Sequence, residues 1–183
     1  MTTVFIAGSI NIKNLDRKVK DRIDKVVDQK LDIVVGDADG ADTSIQNHLF
    51  SKGADHVTVF CSGTTARNNV GDWPQTSVEP PFAHGTRAFF TAKDIEMAKV
   101  ADYGLMVWDA KSTGTLSNVI ELLNRKKKSV VFVNKEKDFK TVGDIEQLID
   151  LVACMSNHAK LKAEEKIRLS EKIDALRQAP MFA

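Results

Sequence analysis

Hydrophobic positions along the chain alternate between two patterns. Short continuous apolar runs of five or six residues recur, and between them apolar residues fall at helical spacing. "TVFIAG" (3–8) is β-branched and aromatic throughout, as expected of a strand covered on both faces of a parallel sheet. Leu15, Val19, Ile23, Val26 and Val27 then mark one face of a helix over about 14–29. "DIVVG" (32–36) predicts a second strand, and "ADTSIQNHLFSKG" (41–53) a helix stopped by Gly53. "HVTVFC" (56–61) predicts a third strand. Residues 62–86 hold three of the four prolines and three of the ten glycines, and predict a long irregular loop, a feature that is more often functional than idle. Helical spacing returns over 88–101, followed by a strand at 103–108, a helix at 115–128 and a strand at 129–134. From Val142 the pattern is helical only: one helix to about Met155, then a long one over 159–178, charged outside its Leu161, Ile167, Ile173 and Leu176 positions.

Strands separated by helices of this length predict a three-layer Rossmann-like α/β fold. Its sheet is doubly wound, mainly parallel and of about five strands, with extra C-terminal helices. The 183 residues fit a single domain over 1–183, with a Rossmann-like core over 1–140 and a helical extension over 141–183.

Composition narrows the class. Hydrophobic residues make up 43% and charged residues 28%, the balance of a soluble globular protein. Lys and Arg total 26 against 25 Asp and Glu, so no global field draws nucleic acid or an anionic membrane, and neither is expected as a partner. Cys61 and Cys154 stand far apart with no metal-ligand spacing, which predicts reduced thiols, no metal site and a cytoplasmic location. No apolar run approaches the ~18 residues of a membrane span, and the start of the chain shows no export leader.

In a doubly wound sheet, ligands bind beyond the carboxyl ends of the strands, where strand order reverses. The unusual residues collect there. Gly8 and Ser9 follow the first strand; Gly36, Asp37, Asp39, Gly40 and Asp42 follow the second; Asp109, Lys111, Ser112, Thr113, Gly114 and Thr115 precede a helix start. Glycines let backbone approach a ligand, and amides and hydroxyls at a helix N-terminus favour an anion. Each piece also has a plainer reading: "STGT" as a cap, Asp42 as a first-turn acid, Asp37 and Asp39 as turn formers. Neither the GxGxxG dinucleotide fingerprint nor a GxxxxGK[ST] phosphate loop is present, which argues against an ordinary NAD dehydrogenase or P-loop NTPase.

"FIAGS", "GDADGAD" and "KDIEMAKVADYGLMVWDAKSTGTLSNVIELL" together resemble the SLOG superfamily of Rossmann-like nucleotide-binding domains, which includes the LONELY GUY phosphoribohydrolases. The likeness is greatest to a small bacterial branch with a G-x-x-x-GAD element, and it covers roughly residues 3–134. It implies a nucleotide or nucleoside-derived small-molecule ligand, with phosphate or ribose held by the "STGT" turn and the first-strand "GS". Relatives in the superfamily pair across helices, which allows a homodimer. In the phosphoribohydrolases, and in the similarly folded nucleoside deoxyribosyltransferases, a catalytic glutamate follows the Gly-Thr after two residues; here Asn118 stands in that place. An amide can hydrogen-bond a ribose hydroxyl but can neither attack nor take a proton. Glu121, one turn on, and Asp109 are the candidate acids for such chemistry, and a pair of strand-end acids could hold Mg²⁺ beside phosphates.

Within the loop, Arg67 can grip phosphate, Asn68 and Asn69 can read a base or ribose, and Trp73 either stacks on a base or folds back on the core. Arg87, Lys93 and Asp94 lie at the next helix start, Lys93 and Asp94 inside the segment that carries the resemblance. His84 and Cys61 read as packing residues, and "NRKKK" (124–128) as a solvated helix end. Three functions follow as expectations: nucleotide binding as a sensor or sequestering module, N-glycosidic hydrolysis or transfer on nucleoside monophosphates, or an interaction role with a vestigial site.

Overall fold

A computed structural model describes residues 1–179. The elements are β1 (Thr3–Gly8), α1 (Arg17–Asp28), β2 (Asp32–Gly36), α2 (Ala41–Ser51), β3 (Val57–Ser62), β4 (Gln75–Val78) and α3 (Arg87–Val100). They continue with β5 (Tyr103–Trp108), α4 (Thr113–Asn124), β6 (Lys128–Val133), β7 (Asp138–Val142), α5 (Ile145–Val152), α6 (Asn157–Ile167) and α7 (Leu169–Gln178). The strands form one sheet in the order β4-β3-β2-β1-β5-β6-β7, parallel except for β7. The chain winds outward from β1 to β4, then crosses to β5 on the other side of β1. The order therefore reverses between β1 and β5, and the loops leaving their carboxyl ends splay apart to open a crevice.

Alternation along the strands explains the three layers. Val4 and Ile6 face one side with Val19 and Ile23 of α1 and Ile45 and Leu49 of α2. Phe5 and Ala7 face the other with Met97 of α3 and Leu116 and Ile120 of α4. Both sets are buried, so β1 reads as a continuous apolar run rather than an alternating one. Leu148, Leu151, Ala159, Ala163, Ile167 and Leu169 of the last three helices join the second cluster.

The Rossmann-like architecture is as expected, but the sheet has seven strands rather than about five. Both additional strands are edges. β4 lies inside the segment predicted to be irregular; its Gln75, Thr76 and Ser77 are exposed, so it carries no apolar signature, and its register comes from pairing with β3 (Cys61 with Ser77). β7 is antiparallel to β6 and needs only a short turn, which Lys137 completes in the left-handed region (φ 54°). The predicted helix over 159–178 is two helices. Arg168 adopts φ 52°, ψ 57°, its amide still donating to the Glu164 carbonyl, while the Glu164 carboxylate accepts from the Ser170 amide and hydroxyl. Ala159, Ala163 and Ile167 form the packed face of α6, which leaves Leu161 outward and 66% exposed. No helix among the described residues is long and apolar enough to cross a membrane.

Candidate functional site

Two strand ends and a helix start meet beside the reversal. The Ser9 amide donates to the Val107 carbonyl (2.9 Å), and the Ser9 hydroxyl accepts from the Asp109 amide (3.1 Å) and lies 3.2 Å from the Thr115 hydroxyl. Ser9 thus ties β1, the turn after β5 and the first turn of α4 together. Asp109 Oδ1 accepts from the amides of Lys111 (2.9 Å) and Ser112 (2.6 Å), and the Trp108 indole N–H donates to the Ser112 carbonyl (3.0 Å). These bonds fix the 109–112 turn, with Ala110 in the left-handed region (φ 60°).

The turn delivers α4 with an open N-terminus. α1, α3, α5 and α6 are capped by the side chains of Asp16, Thr86, Asp144 and Ser156. No side chain caps α4 or α2. The first amides of a helix have no partner within it, so an uncapped start leaves donors and the positive end of the dipole free for an anion.

Only one of the candidate glycines faces open space. A Cβ at Gly8 would lie 2.8 Å from the Val107 carbonyl oxygen and 2.9 Å from Ala41 Cβ; at Gly36 it would lie 2.4 Å from Asp42 Oδ2. At Gly40 it would lie 1.9 Å from the Ile10 carbonyl oxygen. The room assigned to a ligand at these three positions is filled by the protein's own atoms. A Cβ at Gly114 would meet nothing nearer than Ser112 Oγ, at 3.9 Å.

Two clefts flank the α4 start. The larger, about 550 Å³, lies between the turn after β1 (Ile10, Asn11), the 109–113 turn and α6, and is lined by Lys111, His158, Lys162 and Lys166. The smaller, about 290 Å³, is lined by Arg87, Asp94, Gly114, Asn118, Glu121 and Lys172. Asn118 is 8% exposed, and its carboxamide has no hydrogen-bond partner among the described residues. Arg87 Nη2 donates to Thr113 Oγ1 (2.5 Å) at the boundary between the clefts. Glu121 accepts from Arg125 Nε (2.8 Å) and Nη2 (2.7 Å).

The remaining candidates form a buried charge cluster beyond β2. Arg67 clamps Asp37 through Nε (3.1 Å), Nη2 (2.8 Å) and its amide (2.9 Å), while its guanidinium lies 4.5 Å from the centre of the Phe90 ring. Burial pushes the Asp37 carboxyl up, but the hydrogen bonds from the Arg67 side chain and amide outweigh it and hold the group below its ordinary value. The same bonds, above all those to Asp37, raise Arg67. Asn68 Nδ2 bridges the Asp37 carbonyl (2.8 Å) and the exposed Asp39 carboxylate (3.0 Å). Lys93, 4% exposed, donates to Asp94 (2.9 Å); burial lowers it, but Asp94 and Asp42 more than restore it. Gln46 Nε2 binds the carbonyls of Gly36 (2.8 Å) and Asn68 (3.1 Å), fastening the loop to β2.

Asp42 is the strained member. Burial pushes its carboxyl from an ordinary 3.8 up to about 6, against the pull of Lys93. The folded protein therefore holds this proton more tightly than the unfolded chain does. Stability from this group is greatest below about pH 4 and falls as pH rises to about 6, by on the order of 3 kcal/mol. Asp42→Asn keeps an oxygen for the Ala38 amide and removes the titration. Relative to the parent, D42N should gain on the order of 3 kcal/mol between pH 4 and 7 in urea unfolding. A pH-independent difference would show that Asp42 does not titrate in this window.

Two other loop residues are structural. Trp73 is buried, its indole N–H donating to the Ala54 carbonyl (2.8 Å), so it folds back on the core and is not a stacking surface. Asn69 braces it by bonding the Trp73 carbonyl (2.8 Å) and amide (3.0 Å). Lys127 of the basic run donates to the Ala98 and Lys99 carbonyls at the end of α3. The α6 residues His158, Lys162 and Lys166 were not singled out from the sequence. Their i, i+4, i+8 spacing is visible there, but nothing in it indicates that α6 reaches the carboxyl edge.

Fold and crevice define a Rossmann-like α/β protein with an open site at the strand-order reversal. Solved structures of similar fold include DNA processing protein A (DprA) of Streptococcus pneumoniae, with a TM-score of 0.53 and 16% identity over 71% of this chain and 50% of that one. DNA processing protein A of Helicobacter pylori, described for its single-stranded DNA binding mode, has a TM-score of 0.51 and 18% identity over 71% of this chain and 64% of that one. The chain therefore matches between half and two thirds of these proteins' length. No protein-family model and no curated protein matches it.

The expectation that nucleic acid is excluded as a partner does not stand, since a protein of the same fold binds single-stranded DNA. Net charge does not exclude such a partner, because it is a sum over the whole surface. The structure instead gathers Lys111, Lys162 and Lys166 into one cleft.

Proposed function

We propose that the protein binds a nucleotide unit, free or as part of a single strand, at the carboxyl edge of its sheet. The observation that carries this reading is the uncapped start of α4, which borders one cleft through Ser112 and Thr113 and the other through Gly114. A phosphate fits the amides of Thr113, Gly114 and Thr115, with Lys111 beside it. Asn118, with its carboxamide unengaged, suits a sugar hydroxyl or base edge in the smaller cleft. The SLOG resemblance points to the same turn, and the single-stranded DNA bound by the Helicobacter pylori protein is a ligand of the same chemistry. Residues 1–140 carry the α4 start in our reading, and α6 and α7 wall the clefts beside it.

Binding is favoured over bond cleavage because the two candidate acids are engaged: Glu121 by Arg125, and Asp109 Oδ1 by two amides. A role as a sensor or sequestering module needs no more than the binding itself.

Gly114→Val tests the reading. Its Cβ enters open space, so folding stability should change by less than about 1 kcal/mol, while titration calorimetry with a nucleoside 5′-monophosphate should show binding weakened at least about tenfold. Absence of binding by the unaltered protein to a panel of nucleotides and a short single-stranded DNA would overturn it.

A further inference from the structure

α6 places a row of basic side chains on the wall opposite the α4 start. Ala159, Ala163 and Ile167 are buried against the core, so the adjacent row His158, Lys162 and Lys166, one turn apart on a single face, borders the cleft. Successive members lie about 6 Å apart along the axis. Neither Lys162 nor Lys166 forms an ion pair or donates a side-chain hydrogen bond among the described residues. Like charges at i and i+4 repel, at a small cost to the helix.

Among the described residues the cleft offers them a single acid, Asp109, which has one oxygen already committed to the amides of Lys111 and Ser112. At about 550 Å³ the cleft has the size of a small-molecule site, larger than one phosphate group needs. A phosphate on the α4 amides would occupy one wall and leave Lys162 and Lys166 facing the space beyond it.

We infer that the ligand carries at least two phosphates, the first held at the α4 start and the next by Lys162 and Lys166. This rests on the nucleotide reading above and adds the class of ligand: a nucleoside polyphosphate or a phosphodiester strand rather than a monophosphate. The bound anion would relieve the repulsion along α6, and binding would weaken steeply with salt.

The test compares a nucleoside 5′-monophosphate, its 5′-triphosphate and a short oligothymidylate on the full chain and on Lys162→Ala/Lys166→Ala. Both lysines are exposed, so the variant should fold; an unchanged melting temperature confirms this. We expect the unaltered protein to bind the triphosphate or the oligothymidylate at least about tenfold more tightly than the monophosphate. The double variant should lose that preference and keep its monophosphate affinity. Lysine-dependent tightening by the oligothymidylate alone identifies a strand as the source of the second phosphate, and by the triphosphate alone a free nucleotide. Equal affinities in the unaltered protein, or a preference that survives in the double variant, overturn this inference while leaving the nucleotide reading in place. Failure of all three ligands to bind overturns both.

Discussion

Lys93→Met is expected to destabilise the protein by about 3–5 kcal/mol near neutral pH, the usual cost of removing one partner from a buried group of charges. Lys93 is 4% exposed and is the nearest cation to Asp42 and Asp94. Arg67 cannot replace it, because both faces of its interaction are used, by Asp37 and by the Phe90 ring. Methionine matches the length of the stem but leaves Asp42 buried without a counter-charge, so Asp42 must take up a proton even more readily than it does in the parent. The cost should therefore shrink as pH falls to about 5, where Asp42 is neutral in the variant. Urea unfolding at the two pH values measures this. A loss below about 1 kcal/mol at neutral pH would mean that the cluster is hydrated and does not depend on Lys93.

The second large effect is expected at Gly40. Its φ of 77° with ψ −122° is a conformation that residues with a Cβ avoid, and an added Cβ would overlap the Ile10 carbonyl. Strain and the forced displacement of the turn after β1 together predict a loss of about 3 kcal/mol or more for Gly40→Ala. In a chain of this size that lowers the melting temperature by roughly 10 °C. Because Ile10 and Asn11 line the larger cleft, nucleotide binding should weaken as well. Gly53→Ala is the control: φ is also positive, at 64°, but no atom lies within 4 Å of the added Cβ. It should cost only about 1–2 kcal/mol, the left-handed penalty alone. Equal effects at the two positions would show that conformation, rather than contact with the β1 turn, sets the requirement for glycine at 40.

Much of the architecture was legible because burial on both faces leaves a local signature. β1, β2, β5 and β6 are inner strands whose side chains beyond the first residue are buried or partly buried, which leaves a short apolar run in each. β4 and β7 escaped because an edge strand is specified by its partner's unpaired backbone rather than by its own apolar residues. The break at Arg168 escaped because apolar positions continue on both sides of it, at Leu161, Ile167, Ile173 and Leu176, with no glycine or proline between them. Only the packing of α7 back on α5 and α6 requires the left-handed residue there.

The same division holds at the site. Ser9, Asp109, Ser112 and Thr115, marked from the strand ends, are joined by hydrogen bonds in the structure, because a parallel sheet brings its carboxyl ends to one edge whatever the loops do. Composition misassigned the reason for the glycines at 8, 36 and 40, since whether a missing Cβ serves a ligand or the protein depends on what stands opposite. The acids after β2 were marked without their partners. Asp37 and Arg67 are 30 residues apart, and their pairing is a consequence of where the loop after β3 folds.

What the sequence determined by itself is the alternation of layers, the parallel sheet and the edge at which polar residues gather, all of which follow from periodicity and chain order. What the tertiary structure decided is which of those residues remain free. It neutralised Asp37 with Arg67, buried Lys93 among acids, turned Trp73 inward and carried the α6 lysines to the uncapped start of α4. Availability to a ligand is a property of contacts between distant segments, and no local pattern encodes it.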